Sequence, residues 1–199
     1  MTTMAERAQP WRCFWAIPLP DGLRESLSAF VAHLRSVPGI EDDWRFADPG
    51  SWHVTLAFLG GIEADAVVPM VAAVASALAS HTPSEATAGG LGSFPGGGRA
   101  RVLWLGVTDA GGALSALAAE VRSTVGLNKD QPFRPHVTLA RSRDRHGSRL
   151  PLFDAAVPEG RIRVAEVVLF RSHLGGGPAR YERLASIPLQ APVAAAVAQ

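Results

Sequence analysis

Residues 53–57 read HVTLA, and residues 136–140 read HVTLA again, 83 positions further on (136 − 53). Their surroundings, "SWHVTLAFLG" and "RPHVTLARSR", are the apolar and β-branched runs that favour β-strands. Coincidence is one explanation, because Ala, Val and Leu are common in this chain. A duplicated unit is the other, because an internal repeat usually marks a repeated piece of structure.

Strand alternation assigns the residues of each copy to two faces. His53 and Thr55 share one face, and the intervening Val and following Leu point the other way, because successive side chains of a strand alternate. His136 and Thr138 repeat this arrangement. Each strand therefore offers an imidazole beside a hydroxyl on its front and an apolar back to the core.

The segments around the repeat predict the fold class. Each copy follows a helix that follows a strand: "RCFWAIPLP" and "DGLRESLSAFVAHLRSV" before the first, "ARVLWLGV" and "GGALSALAAEVRSTVG" before the second. The late strands "RIRVAEVVLFRS" and "YERLASIPL" have no helix between them, which argues against a parallel doubly wound sheet. We predict an α+β fold with two pseudo-symmetric lobes around a central cleft, each lobe a small antiparallel sheet backed by helices.

Length and composition predict one domain. The chain has 199 residues, 47% of them hydrophobic and 19% charged, which suits a single core. We expect the domain to span residues 10–190, with flexible tails at 1–9 and 191–199. The net charge of +1 is too small for a protein that coats long nucleic acid, so any nucleic-acid contact should be local.

The cellular setting follows from what the sequence lacks. Cys13 is the single cysteine, which excludes an intramolecular disulfide and a cysteine-based zinc site and fits a reducing cytoplasm. No apolar run reaches 18 residues and the N-terminus does not read as a signal peptide, so we expect a cytoplasmic protein without a membrane partner. With no heptad pattern, we expect a monomer.

Two such strands facing each other would place two imidazoles and two hydroxyls around one point. One imidazole can accept a proton while the other donates one, because histidine titrates near neutral pH. The hydroxyls can donate hydrogen bonds to phosphate oxygens, so a phosphodiester is the substrate class that fits, and no metal or other cofactor is needed. Zinc remains an alternative, but it prefers three or four ligands and each strand supplies one good one.

The sequence resembles the 2H phosphoesterase superfamily, in particular its RNA 2′,3′-cyclic phosphodiesterase branch, historically called the 2′–5′ RNA ligase family. The resemblance rests on "HVTLAFLG", "RPHVTLAR", "RCFWAIPLP" and "VVLFRSHL…YERL", and it covers roughly residues 12 to 190. It implies that His53 and His136 are catalytic, with His53 preferred as the acid and His136 as the base. It also implies that Thr55 and Thr138 hold the phosphate.

The resemblance implies hydrolysis of 2′,3′-cyclic phosphate ends of RNA or nucleotides to a phosphomonoester, with a 2′-phosphate expected and no metal. Its partners would be RNA 3′ ends or nucleotides that carry such a phosphate. Two alternatives stay open. The same site could join RNA ends as a 2′–5′ ligase, or the protein could be an RNA-end-binding module without catalysis.

Three further residues are candidates for substrate binding. In the family, residues at the positions of Phe58 and Arg141 sandwich a terminal base. Each lies five positions after its histidine, and an odd offset should face away from the cleft unless a bulge or the strand's end turns it back. Arg134, just before the second copy, could contact RNA phosphates. The run "ARSRDRHGSR" reads either as a solvated charged loop or as a receiver of the RNA backbone.

Overall fold

The computed structural model describes residues 9–127, 132–150, 154–173 and 179–190. The strands are β1 (Trp11–Pro18), β2 (Trp44–Phe46), β3 (His53–Ile62), β4 (Ser84–Phe94), β5 (Val102–Thr108), β6 (His136–Ser142), β7 (Gly160–Val164), β8 (Glu166–His173) and β9 (Arg180–Pro188). The α-helices are α1 (Asp21–Arg35), α2 (Ile40–Asp43), α3 (Val67–Ala77) and α4 (Ala113–Thr124). The tails expected at 1–9 and 191–199 fall almost entirely outside the described residues, and their flexibility stays a prediction.

All nine strands belong to one antiparallel sheet, which confirms the predicted α+β class. Its order is β7-β4-β5-β6-β3-β1-β8-β9, and β2 pairs with β6 off this path. The halves β7-β4-β5-β6 and β3-β1-β8-β9 therefore form a continuous sheet. They are joined by one residue pair of β3 and β6, Val54 opposite Val137. The two repeated strands lie at the centre of the molecule.

The helices bury the faces that their apolar spacing predicts. In α1, the buried residues are Leu23, Leu27, Phe30, Val31 and Leu34. In α4, they are Leu114, Leu117, Ala118 and Val121. Helix α4 packs on β3 and α1 contacts β7, so each helix reaches a strand of the other half. These contacts cover the back of the sheet and tie the halves together.

Strand β1 differs from its sequence pattern. Alternation around Cys13, Trp15 and Ile17 predicts one buried face, yet the residues between them, Phe14 and Ala16, are buried as well. The strand lies between β3 and β8 and is covered on both faces. Helices cover the back, and an aromatic cluster described below covers the front.

Candidate active site

The site is built where β3 and β6 meet. Val54 and Val137 are fully buried and directly opposite each other in antiparallel strands. The neighbouring residues on the other face are then brought side by side: His53 beside Thr138, and Thr55 beside His136. The four side chains are related by an approximate two-fold axis through the valine pair. They are half-buried at the front of the sheet.

A β-bulge interrupts each repeated strand at the same motif position. In β3, the partner of Trp15 is Ala57 and the partner of Ala16 is Thr55, so Leu56 has no partner on β1. In β6, Leu139 is skipped in the pairing with β5 in the same way. A bulge puts two consecutive residues on one side and so reverses the alternation after it. Phe58 and Arg141 therefore return to the histidine face.

Each bulge is held by a different partner. The Nε of Arg122, on α4, donates a hydrogen bond of 2.9 Å to the carbonyl of Leu56. The backbone N–H of Ala47, just after β2, donates one of 2.8 Å to the carbonyl of Leu139. Both leucine side chains are fully buried, which leaves the bulges little freedom to relax.

Both histidine rings have the same orientation. The Nδ1 of His53 lies 2.6 Å from the carbonyl oxygen of Ser51, and that of His136 lies 2.7 Å from the carbonyl oxygen of Arg134. A carbonyl can only accept, so each Nδ1 carries the proton and each neutral ring presents an unprotonated Nε2 for chemistry. The predicted residue Arg134 thus contributes its backbone to the site, while its side chain is exposed.

Burial lowers the pKa of both rings. The pKa of His53 is lowered from 6.5 to about 4, chiefly because burial disfavours the charged ring; the hydrogen bond to Ser51 opposes this, and the charges of His136 and Arg141 add to it. The pKa of His136 is lowered for the same first reason, and Arg141 again adds to the effect. The charge of Arg141 thus acts on both rings, and the charge of His136 acts on His53.

The sequence-based prediction missed the aromatic side chains beside His53. Phe14 stacks on His53 with ring centroids 4.7 Å apart, and Tyr181 meets the same imidazole edge-on at 5.3 Å. Phe170 stacks on Phe14 at 5.4 Å, and the exposed Phe58 lies 5.7 Å from Phe14. Strand alternation around Cys13 and Trp15 puts Phe14 on the outward face, and a large apolar residue on that face could have indicated that the face is covered. Tyr181 comes from β9, at the far edge of the sheet, and had none.

His136 has its own aromatic neighbours, Phe94 at 5.1 Å and Trp104 at 6.1 Å. Trp104 lies flat over Gly92, where an added Cβ would be 2.1 Å from the ring atom Cη2. Gly92 is therefore the residue that lets Trp104 lie against the sheet. No sequence motif predicts the contact of Trp104 with Gly92, because the contact depends on the register of β4 and β5.

The arginines of the charged run have different roles. Arg141 is exposed and lies on the cleft side, because the bulge at Leu139 turns it to the histidine face. Arg143 donates from Nε to the Glu41 carbonyl at 2.8 Å, and the Asp144 carboxylate pairs with Arg99 at 2.8 Å. The segment after β6 is thus held by hydrogen bonds to Glu41 and Arg99, which favours a charged loop over a receiver of the RNA backbone for Arg143.

The described residues contain no cluster of three or more His, Cys, Asp or Glu side chains suited to a metal ion. None of the helices in that part of the chain has the length and apolar character to cross a bilayer.

Two His-x-Thr strands, paired at the centre of an antiparallel sheet in an α+β fold, bring two imidazoles and two hydroxyls to one site. The profile of the 2′-5′ RNA ligase superfamily matches residues 23–176, and the chain belongs to this family.

Relatives and solved structures agree with this placement. The RNA 2′,3′-cyclic phosphodiesterase of Geobacillus stearothermophilus is 30% identical over 182 residues, which cover 88% of this chain but 56% of that relative. The protein of the same name from Escherichia coli is 29% identical over 184 residues, covering 89% of this chain and 96% of the relative. The crystal structure of E. coli LigT complexed with 3′-AMP superposes with a TM-score of 0.75 at 27% identity, covering 92% and 99% of the two chains.

Proposed function

We propose that this chain is an RNA 2′,3′-cyclic phosphodiesterase, a phosphoric diester hydrolase that opens cyclic phosphate ends of RNA or nucleotides to a phosphomonoester. The observation that carries the proposal is the pairing of Val54 with Val137, which brings two imidazoles and two hydroxyls around one point. The Escherichia coli relative that carries this name supports it, because the match covers 96% of that relative.

We assign the proton transfers as follows. His136 takes a proton from water as the water oxygen attacks phosphorus, and His53 gives a proton to the ribose 3′ oxygen as its bond to phosphorus breaks. The products are a 2′-phosphate and a 3′-hydroxyl. His53 is enclosed by Phe14 and Tyr181, so the nucleophilic water reaches the His136 side more easily, which supports this assignment.

As the acid, His53 must carry a proton on its Nε2, and its lowered pKa disfavours that protonated form. His53 has a pKa of about 4 without substrate. A phosphate anion beside the ring raises that pKa, because an opposite charge stabilises the charged imidazole. Thr55 and Thr138 donate hydrogen bonds to the non-bridging oxygens and stabilise the charge that accumulates on them during attack. The reaction needs no metal or other cofactor in this scheme.

We propose that Phe58 and Arg141 bind the terminal base between them. Both return to the cleft side after the bulges, and Phe58 is 58% exposed, which leaves a large apolar surface free for stacking. Arg134 is a candidate for an RNA phosphate, since its side chain is exposed beside His136.

Incubation of the purified protein with an RNA oligonucleotide that ends in a 2′,3′-cyclic phosphate, followed by separation of the products, tests the function. We expect conversion to a 2′-phosphate at unchanged rate in EDTA. Joining of an added 5′-hydroxyl RNA would favour the ligase alternative, and release of unchanged RNA would favour the binding module. Loss of turnover in EDTA that zinc restores would contradict the metal-free mechanism.

We further propose that residues 10–190 form the functional domain and that the protein acts as a cytoplasmic monomer. The domain assignment is supported by the single sheet that all nine described strands form around one central site. Light scattering after size exclusion checks the mass against the 21.0 kDa of one chain.

A further inference from the structure

We infer that Arg45 binds the phosphodiester that precedes the terminal nucleotide, so that the site favours an RNA chain over a free cyclic nucleotide. This inference rests on the function proposed above and adds a substrate preference to it. It starts from β2, a three-residue strand that, among the described strands, pairs with β6 alone.

Strand β2 pairs with the same edge of β6 as β3, the strand that carries His53. One edge of β6 is occupied by β5 from His136 to Arg141. The other edge is shared: β3 meets it at Val137, and β2 meets it from Ala140 to Ser142. An RNA chain that extends from the catalytic centre along this edge therefore passes over β2.

Arg45 points to the same side as the catalytic histidines. It is the direct partner of Arg141, and directly opposed residues of antiparallel strands have their side chains on the same face. Its neighbours in β2 fit this direction, because Trp44 is buried on the back and donates from Nε1 to the Arg149 carbonyl at 3.1 Å. Arg45 and Arg141 are thus neighbours on the front, about one strand spacing of 4.8 Å apart at the backbone.

The charges on this pair are not compensated within the described part of the chain. Arg45 is exposed, and neither it nor Arg141 forms an ion pair there. Like charges directly opposite each other destabilise a sheet, so the pair is unfavourable unless an anion lies between the two guanidinium groups.

Two acidic side chains of the adjoining segments pair with other arginines. The Glu41 carboxylate pairs with Arg35 at 2.7 Å, and the Asp144 carboxylate pairs with Arg99. Arg45 is left as a front-facing guanidinium with free donors beside the arginine that acts on both histidines. A phosphodiester matches these donors, because guanidinium groups bind phosphate oxygens through paired, charge-assisted hydrogen bonds.

The test compares two substrates in each variant: a 2′,3′-cyclic mononucleotide and a short RNA with the same nucleotide at its cyclic phosphate end. We expect Arg45→Gln to lower kcat/KM for the RNA about fivefold to tenfold more than for the mononucleotide, mainly through KM. The salt dependence of the RNA reaction should become shallower by about 0.7 in the log–log slope, the contribution of one phosphate contact on a single strand. Arg45→Lys, which keeps the charge, should restore most of the preference.

Two further variants make the result specific. Arg163→Gln removes the same charge from β7, which lies at the edge of the sheet three strands from β6, and should leave the substrate ratio as in the wild type. Arg12→Gln removes an arginine on the β1 side of the cleft, near Tyr181. An RNA-specific loss in Arg12→Gln but not in Arg45→Gln would mean that the chain leaves over β1, and would overturn the inference. Equal losses on both substrates, or an unchanged ratio, would overturn it as well.

Failure of the proposed function gives a different result. In that case the wild type would hydrolyse neither substrate, whereas failure of the inference would leave hydrolysis by the wild type intact and give Arg45→Gln no RNA-specific loss. Binding of a 3′-phosphorylated dinucleotide and of the matching mononucleotide, measured by calorimetry, then decides the role of Arg45 without turnover. Arg45→Gln must weaken binding of the dinucleotide more than that of the mononucleotide, and equal weakening would contradict the inference.

Discussion

The two halves of the sheet carry the same pentapeptide but surround it with different side chains. In the row that contains the threonines, Ala16 is opposite Thr55 in the first half and Trp104 is opposite Thr138 in the second. The first threonine therefore has a small neighbour and the second a large ring. The same hydroxyl is placed in two different environments.

The next row differs in the opposite sense. Phe14 is opposite Phe58 in the first half, and Val102 is opposite Arg141 in the second. One half presents aromatic surface and the other a positive charge. The comparison teaches that the backbone, with its matched bulges, repeats the placement of His and Thr, while the flanking rows make the two sides of the cleft different.

Removal of either histidine should have the largest effect. His53→Ala and His136→Ala should each lower kcat by about 10²–10⁴-fold, the range of general acid–base catalysis, and the double variant should lose little more because the two groups act together. Circular dichroism should show an intact fold. Near wild-type activity in either single variant would refute the two-imidazole mechanism.

A p-nitrophenyl phosphodiester substrate, whose leaving group is p-nitrophenolate, distinguishes the roles of the two histidines. Such a group leaves without protonation, so the variant that lacks the acid should recover much of its activity and the variant that lacks the base should not. We expect recovery in His53→Ala. Recovery in His136→Ala instead would reverse the assignment of acid and base.

The threonines should have the next largest effect. Thr55→Val and Thr138→Val should slow the chemical step by about 10–10³-fold, as loss of a donor to a developing charge does. Single-turnover rates measure this step directly. We expect the larger loss at Thr138, because the Trp104 ring keeps water from replacing the missing hydroxyl, whereas Ala16 leaves room beside Thr55. Equal rates in the variants and the wild type would remove the threonines from the site.

The charge of Arg141 should appear in the pH profile. The reactive form shares one proton between two histidines whose pKa values lie below 6.5 in the free protein, so kcat/KM should fall as pH rises above the higher of the two. Arg141→Gln removes a charge that lowers both pKa values, so the falling limb should move to higher pH. Phe58→Ala removes stacking surface but no charge and serves as the control. An unmoved limb in Arg141→Gln would place the guanidinium away from the histidines.

The smallest effect on turnover, but a measurable loss of stability, is expected from Gly92→Ala. The added Cβ would lie 2.1 Å from Trp104, so the ring must move. Chemical denaturation should show a loss of about 1–3 kcal/mol, typical of overpacking. Gly98→Ala is the matched control, because its Cβ would have nothing within 4 Å. Equal stability of the two variants would mean that Trp104 is not held against Gly92.

Much of the site could be predicted from local sequence. The parity of His53 and Thr55, and of their second copies, needs only the alternation of a strand, and the structure places them on one face as predicted. The inward residues of α1 and α4 follow from helical periodicity in the same way. The direction of Phe58 and Arg141 could not be read locally, since alternation alone predicts the wrong face.

The sequence by itself determined the α+β class and the two His-x-Thr units, because alternation and helical spacing are properties of neighbouring residues. Tertiary structure decided where those units meet and what encloses them. The bulges are held by Arg122 and Ala47, the histidine is covered by rings from β1, β8 and β9, and Arg45 is placed opposite Arg141. The physical reason is that each of these contacts joins segments that are not neighbours in the chain, and their relative positions are set by packing and strand register across the whole sheet.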